Sequence, residues 1–138
     1  MEDVFCKIIK GEIPSAKVYE DDDVLAILDI SQATRGHTLV MPKKHYDSFL
    51  SCPKDLMMKV YAVAQRIGQA EMAVLGAKGV NILTNCGEAA GQSVPHFHVH
   101  VIPRYIRGEG GFQIKMAEND TSGMDLPRLA CDISKAIR

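Results

Sequence analysis

Three of the five histidines in this chain of 138 residues stand at every second position within Ser93–Pro103, SVPHFHVHVIP. At this composition a His-x-His-x-His window arises by chance in on the order of one sequence in a hundred of this length, so the spacing asks for a chemical reason. The run is rich in Val, Ile and Phe and is flanked by Pro95 and Pro103, which predicts a β-strand. Side chains alternate along a strand. His96, His98 and His100 are then expected on one face, like positions about 7 Å apart, with Phe97, Val99 and Val101 on the other.

A row of imidazoles is open to three chemistries. It can hold zinc or iron together with a ligand from elsewhere. It can supply a nucleophile, because imidazole, with an ordinary pKa of about 6.5, is mostly neutral at pH 7 and can attack phosphorus or an acyl carbon to form a covalent intermediate. It can also simply solvate a sheet surface. The second chemistry needs donors for phosphoryl oxygens, and Gly91, Gln92 and Ser93 lie immediately before the histidines.

The elements that must position this row follow from local pattern. Glu2 to Lys10 carries Phe5, Ile8 and Ile9 at helical spacing and stops at Gly11, a short opening helix. Lys17–Glu20 and Val24–Ile30 read as a hairpin turning on Asp21, Asp22 and Asp23, and His37–Met41 as a further strand stopped by Pro42. The longest helix is expected from Ser51 or Cys52 as cap, with Pro53 in its first turn, to Gly76. Its stripe is Leu56, Val60, Val63, Ala64, Ile67, Ala70 and Val74, with Met57, Met58 and Met72 beside it as core filler. Val80–Asn85 predicts a strand joined by the Gly87–Ser93 loop to the histidine strand. Gly108, Gly110 and Gly111 mark a connection to a C-terminal amphipathic helix through Leu126, Leu129, Ala130, Ile133 and Ile137. About five strands and two or three helices give an α+β class with an antiparallel sheet.

Length points to one domain spanning 1–138. A net charge of -1 with mixed signs gives no basic field for a nucleic acid and no polybasic membrane patch, which favours a small ligand. No stretch approaches a membrane span, and Met1–Phe5 lacks an apolar run of signal length, so a cytoplasmic location is expected. Cys6, Cys52, Cys86 and Cys131 form no Cys-x-x-Cys pair and are expected mostly as buried small side chains.

The segment from Gly91 to Ile102 resembles the signature of the histidine triad (HIT) family, His-φ-His-φ-His-φ-φ with φ apolar. Phe5–Asp21, Leu28–Ser31, Gly36–His45 and Pro103–Tyr105 resemble other blocks of that family in the same order. The likeness covers roughly 3 to 107 as a core; 108–138, the glycine-rich connection and C-terminal helix, lies outside it. The resemblance implies a HIT-like fold with a five-stranded antiparallel sheet and a long helix, and a homodimer in which two sheets become continuous. It also implies cleavage of a nucleoside monophosphate, AMP in the leading reading, from a phosphoramidate or dinucleoside polyphosphate through a nucleotidyl-histidine, with no metal in the chemical step. Carried onto this chain, His98 is the nucleophile, His100 bonds a non-bridging phosphate oxygen, His96 orients the site with help from His37, and Ser93 meets the leaving atom. Gly91, Gln92 and Asn85 match phosphate-side contacts, and Asp29 with Ile30 matches the ribose site.

Plainer readings stand beside these: Asp29 can end its strand through a turn bond, Asn85 can brace the next loop, and His37 can be a satisfied core histidine. Some similar bacterial chains hold a structural zinc through Cys-x-x-Cys and two histidines. Here Cys6, His45 and His96 match three of those ligands, while Asp3 stands at the first cysteine, which leaves two readings open, a weakened zinc site or a site without metal, non-catalytic in either case. A metal-dependent hydrolase and a nucleotide-binding regulatory module with little turnover remain as alternatives.

Overall fold

The computed structural model describes residues 2–107 and 116–137. The elements run α1 (Val4–Ile9), β1 (Lys17–Glu20), β2 (Val24–Leu28), β3 (Thr38–Pro42), α2 (Lys54–Val74), β4 (Gly79–Leu83), β5 (Val99–Arg104) and α3 (Leu126–Ala136). The five strands among the described residues form one antiparallel sheet in the order β1-β2-β3-β5-β4. The expected α+β class and strand count hold.

Alternation sorts the sheet into two unlike faces. Val24, Ala26, Val40, Val99 and Val101 point to α2 and pack with Val60, Val63, Ala64, Ile67 and Phe97. Each fully buried side chain of this size contributes about 1.5–3 kcal/mol relative to exposure. Leu25, Ile27, Leu39 and Met41 point the other way, where Phe5 of α1 covers them with Ile8 and Ile9. The histidines share this second face with α1.

The hairpin turns as expected: Asp21 Oδ1 accepts from the Asp23 and Val24 amides, both at 2.8 Å. β2 ends at Leu28, short of the expected Ile30: the Asp29 amide still donates to the His37 carbonyl at 3.0 Å in the β2–β3 register, and the Asp29 carboxylate then takes the Ser31 amide at 2.8 Å and turns the chain away. Three other expectations change. α2 starts at Lys54 with Pro53 at its N-cap and no side-chain capping bond, so neither Ser51 nor Cys52 caps it. Of the three methionines expected as core filler, Met57 packs on the core, whereas Met58 and Met72 are exposed. Cys6, Cys52 and Cys86 are half-buried and Cys131 is exposed, all four as free thiols.

The histidine segment is only partly strand. β5 begins at Val99, since Pro95 has no amide to give a ladder and the His96 amide folds back onto the Val94 carbonyl at 2.8 Å. Pro103, expected as a boundary, lies inside β5 opposite Val80. The glycines expected to connect β5 to α3 fall at 108, 110 and 111, outside the described residues. α3 is present where expected, and its Leu126, Leu129 and Ile133 are exposed among the described residues.

Candidate active site

His98 is buried, only 6% exposed, against the edge of Phe5, ring centroids 5.0 Å apart. Its Nδ1 lies 2.7 Å from the His96 carbonyl oxygen. A carbonyl only accepts, so Nδ1 carries the proton and Nε2 keeps its lone pair. Burial lowers the His98 pKa, countered by the His96 carbonyl and reinforced by the neighbouring His96 ring. A neutral imidazole with a free Nε2 is the form a nucleophile requires. The backbone around it is fixed as well, because Thr84 Oγ1 donates to the His98 carbonyl at 2.6 Å.

His100 stands beside His98, centroids 5.0 Å apart, and its Nδ1 is 2.9 Å from Nε2 of His37. The Ala33 amide donates to His37 Nδ1 at 3.2 Å, which puts the His37 proton on Nε2 and directs it at His100 Nδ1. The His100 proton is thereby placed on Nε2, where it can be donated outward. Burial first, then the nearby His98 and His37 rings, hold the His100 pKa down to about 4. Burial likewise lowers His37, against the pull of the Asp29 carboxylate and the Ser31 carbonyl. His37, expected to assist His96, instead lies against His100.

Asp29 Oδ1 accepts from the Ser31 amide at 2.8 Å, the turn bond of the plainer reading, while Oδ2 lies 3.7 Å from His37 Nε2. Ile30 beside it is fully exposed. Across the site, Gly87 and Gly91 take φ of +88° and +93°, values that suit glycine because a Cβ is strained there. The Gln92 carboxamide is occupied by the loop itself: Oε1 accepts from Gly87 N at 2.8 Å, and Nε2 donates to the carbonyls of Asp47 at 2.6 Å and Val94 at 2.9 Å. Gln92 thus braces the loop that carries exposed Gly91 and Ser93. Asn85 is half-buried, its amide 3.8 Å from where a Cβ on Gly91 would sit.

His96 is fully buried and takes a different set of neighbours. Its Nε2 lies 2.9 Å from the Pro42 carbonyl and its Nδ1 3.2 Å from Asp3 Oδ2. The same carboxylate oxygen is 2.8 Å from His45 Nδ1, and Cys6 Sγ is 3.7 Å from Nδ1 of each histidine. Burial raises the Asp3 pKa, but the Cys6 amide, the His96 charge and the Cys6 thiol outweigh it, and the net shift is downward. Asp3, Cys6, His45 and His96 each offer one donor atom within 4.8 Å of the others, as do Asp29, His37 and His100. The first set mixes carboxylate, thiol and imidazole, all of which zinc accepts, and its donors already converge.

The structure therefore divides the expected residues into two groups. His98, His100, His37 and Asp29 gather at one end of the second face, and Cys6, His45 and His96 gather with Asp3 beneath α1. Sequence reasoning missed Asp47, whose Oδ1 is 2.9 Å from His45 Nε2, and the contact of Phe5 with His98. Asp3 carried one local signal, its position as α1 N-cap, where it accepts from the Cys6 amide at 2.8 Å.

The family model of the HIT domain matches residues 10–106. The chain is 46% identical over 135 residues to the protein hit of Bacillus subtilis, covering 97% of this chain and 93% of that one. It is 43% identical over 104 residues to an adenylylsulfatase of Arabidopsis thaliana, covering 75% of this chain and 53% of the other. A crystal structure of a HIT family member from Bacillus subtilis superposes with a TM-score of 0.91 at 44% identity, covering 100% of this chain and 99% of that one. A zinc-bound histidine triad family protein from Mycobacterium smegmatis does so with a TM-score of 0.74 at 39% identity, covering 97% and 96%.

Proposed function

The chain belongs to the HIT domain family, and from that premise we propose that it cleaves a nucleoside monophosphate from a phosphoramidate or a dinucleoside polyphosphate through a covalent intermediate on His98. The observation that carries this reading is the proton arrangement: the His96 carbonyl holds the His98 proton on Nδ1 and leaves Nε2 free for attack. Nε2 forms a bond to the α-phosphorus as the bond to the leaving group breaks, and the leaving atom takes a proton at Ser93. His100, its own proton directed onto Nε2 by His37, donates to a non-bridging oxygen. That donor favours the transition state because charge grows on the oxygens there. Water then attacks phosphorus and gives up a proton that returns to Ser93, the P–N bond to His98 breaks, and Nε2 regains its lone pair.

Around this centre Gly91 and Asn85 face the phosphate, and Gln92 acts by holding their loop. Asp29 keeps Oδ2 for ribose hydroxyls while Oδ1 serves the turn, with Ile30 as an apolar rest for the sugar or base. Adenosine is the proposed nucleoside; the similarity to an adenylylsulfatase of Arabidopsis thaliana supports an adenylyl group. A cytoplasmic homodimer formed through the open edge of β4 completes the proposal. No helix among the described residues is long and apolar enough to cross a membrane.

Asp3, Cys6, His45 and His96 would hold a structural zinc; when bound, the ion would cross-link α1 to the Pro42 side of the sheet and supply no step of the reaction. The second convergence, Asp29 with His37 and His100, is the observation that keeps a metal-dependent hydrolase as the second reading. Incubation with adenosine phosphoramidate and with diadenosine tetraphosphate, followed by mass spectrometry without acid, is expected to trap an adenylyl group on His98. Turnover lost to a chelator and restored by metal would establish the second reading, and AMP binding with neither adduct nor turnover would establish a regulatory module.

A further inference from the structure

On the face of the sheet opposite the histidines, a recess of about 400 Å³ opens between α2 and the β1–β2 side of the sheet. Its walls are apolar, Val18, Leu28, Ile67 and Val74 among them, and Glu71 lines it. Glu71 is 6% exposed, and neither carboxylate oxygen has a hydrogen-bond partner among the described residues. Leaving such a group unsatisfied is destabilising, and more so when it is charged. No base in the wall relieves it: Arg66 also lines the recess but is exposed, its guanidinium 5.4 Å from the centre of the Tyr19 ring.

Gly36 makes room for the carboxylate. A Cβ there would stand 2.8 Å from Glu71 Oε2 and 2.6 Å from Leu75 Cδ1, so a residue with φ of +102° and no side chain is needed for Glu71 to lie where it does. The recess is also separate from the open sheet edge, since β4 packs under the other flank of α2, where a Cβ on Gly68 would be 3.7 Å from Val80 and 3.8 Å from Ile82.

We propose that this recess is a binding site for a small primary amine with an apolar body, the ammonium meeting Glu71 and the body lying against Val18, Ile67 and Val74. A neutral donor would satisfy one oxygen. An ammonium supplies three donors and the opposite charge in a poorly solvated place, where such a hydrogen bond is about twice as strong as a neutral one. Burial pushes the Glu71 carboxyl up to about 7, so a bound cation also removes the cost of ionising it. The site lies across the sheet from His98 and does not depend on the nucleotide chemistry.

Titration of the full chain with cyclohexylmethylamine, followed through backbone amide shifts, tests it. The expected result is saturable movement at Gly36, Glu71 and Leu75, with binding of isosteric cyclohexylmethanol at least about tenfold weaker. Glu71→Gln is expected to weaken the amine by a similar factor. Ala70→Phe, which fills the exposed rim and leaves the carboxyl in place, is expected to abolish binding. Both variants are expected to keep wild-type turnover. Equal binding of amine and alcohol, unaltered binding in either folded variant, or no saturable movement at the three amides would overturn the proposal.

Discussion

The two faces of the sheet are made from the same strands and obey opposite rules. The α2 face is packed with valines, isoleucine and phenylalanine, and its buried acid, Glu71, is left without a donor among the described residues. The α1 face carries the five histidines, met by the carboxylates of Asp3, Asp29 and Asp47, and there the buried nitrogens have a carbonyl, an amide, a carboxylate or another ring to meet. The contrast teaches that burial does two jobs here. On one side it supplies free energy of folding. On the other it favours the neutral form of His37, His98 and His100, and the hydrogen bonds around them decide which nitrogen is free.

The comparison is broken most severely at His98. His98→Asn keeps most of the volume and a donor but removes the nucleophile, so turnover is expected to fall by about a thousandfold or more with no adduct in the mass spectrum. Wild-type turnover in this variant would end the covalent reading. On the other face, Ile67→Ala is expected to lower folding stability by about 2–5 kcal/mol, measured by urea unfolding. Below its transition it should leave kcat/KM unchanged; a selective loss of activity would show that the faces are coupled.

Gln92→Ala sharpens the division within the site. If the carboxamide only braces the loop, kcat/KM should drop about tenfold while an adduct still forms on His98. The mildest test is pH. His98, His100 and His37 bind protons less readily folded than unfolded. Stability on their account is present above about pH 6.5, declines as pH falls, and is lost down to about 4, the folded value of His100. Glu71, raised from 4.5 to about 7, runs the other way, lowering stability as pH rises between those values. Melting temperature against pH should show the opposing slopes, and Glu71→Gln should remove only the one on rising pH.

Much of this was legible in the chain. Period-two alternation placed Val99 and Val101 opposite His98 and His100, and the helical stripe from Val60 to Ile67 located α2. The entry to β5 was not legible in the same way. His96 was expected on the same strand face as His98 and His100, as the orienting member and a match to the Cys6 and His45 ligand set, but the Pro95 break and the turn of the His96 amide onto the Val94 carbonyl take it out of the strand and into the cluster under α1, with residues 51 to 93 positions away. Met58 and Met72 were misplaced because helical spacing marks a stripe without marking how far the sheet extends beneath it.

The sequence by itself determined the types of group available, the strand and helix periods, and the pairing of an apolar face with an imidazole face, because these depend on neighbours within a few residues. The tertiary structure alone decided which histidine nitrogen is free, that His37 serves His100, that Gln92 is taken up by its loop, and that Glu71 is buried without a donor. Each of these depends on a carbonyl, amide or ring brought within about 3 Å, or withheld, by chain segments far apart in sequence, and local periodicity carries no information about them.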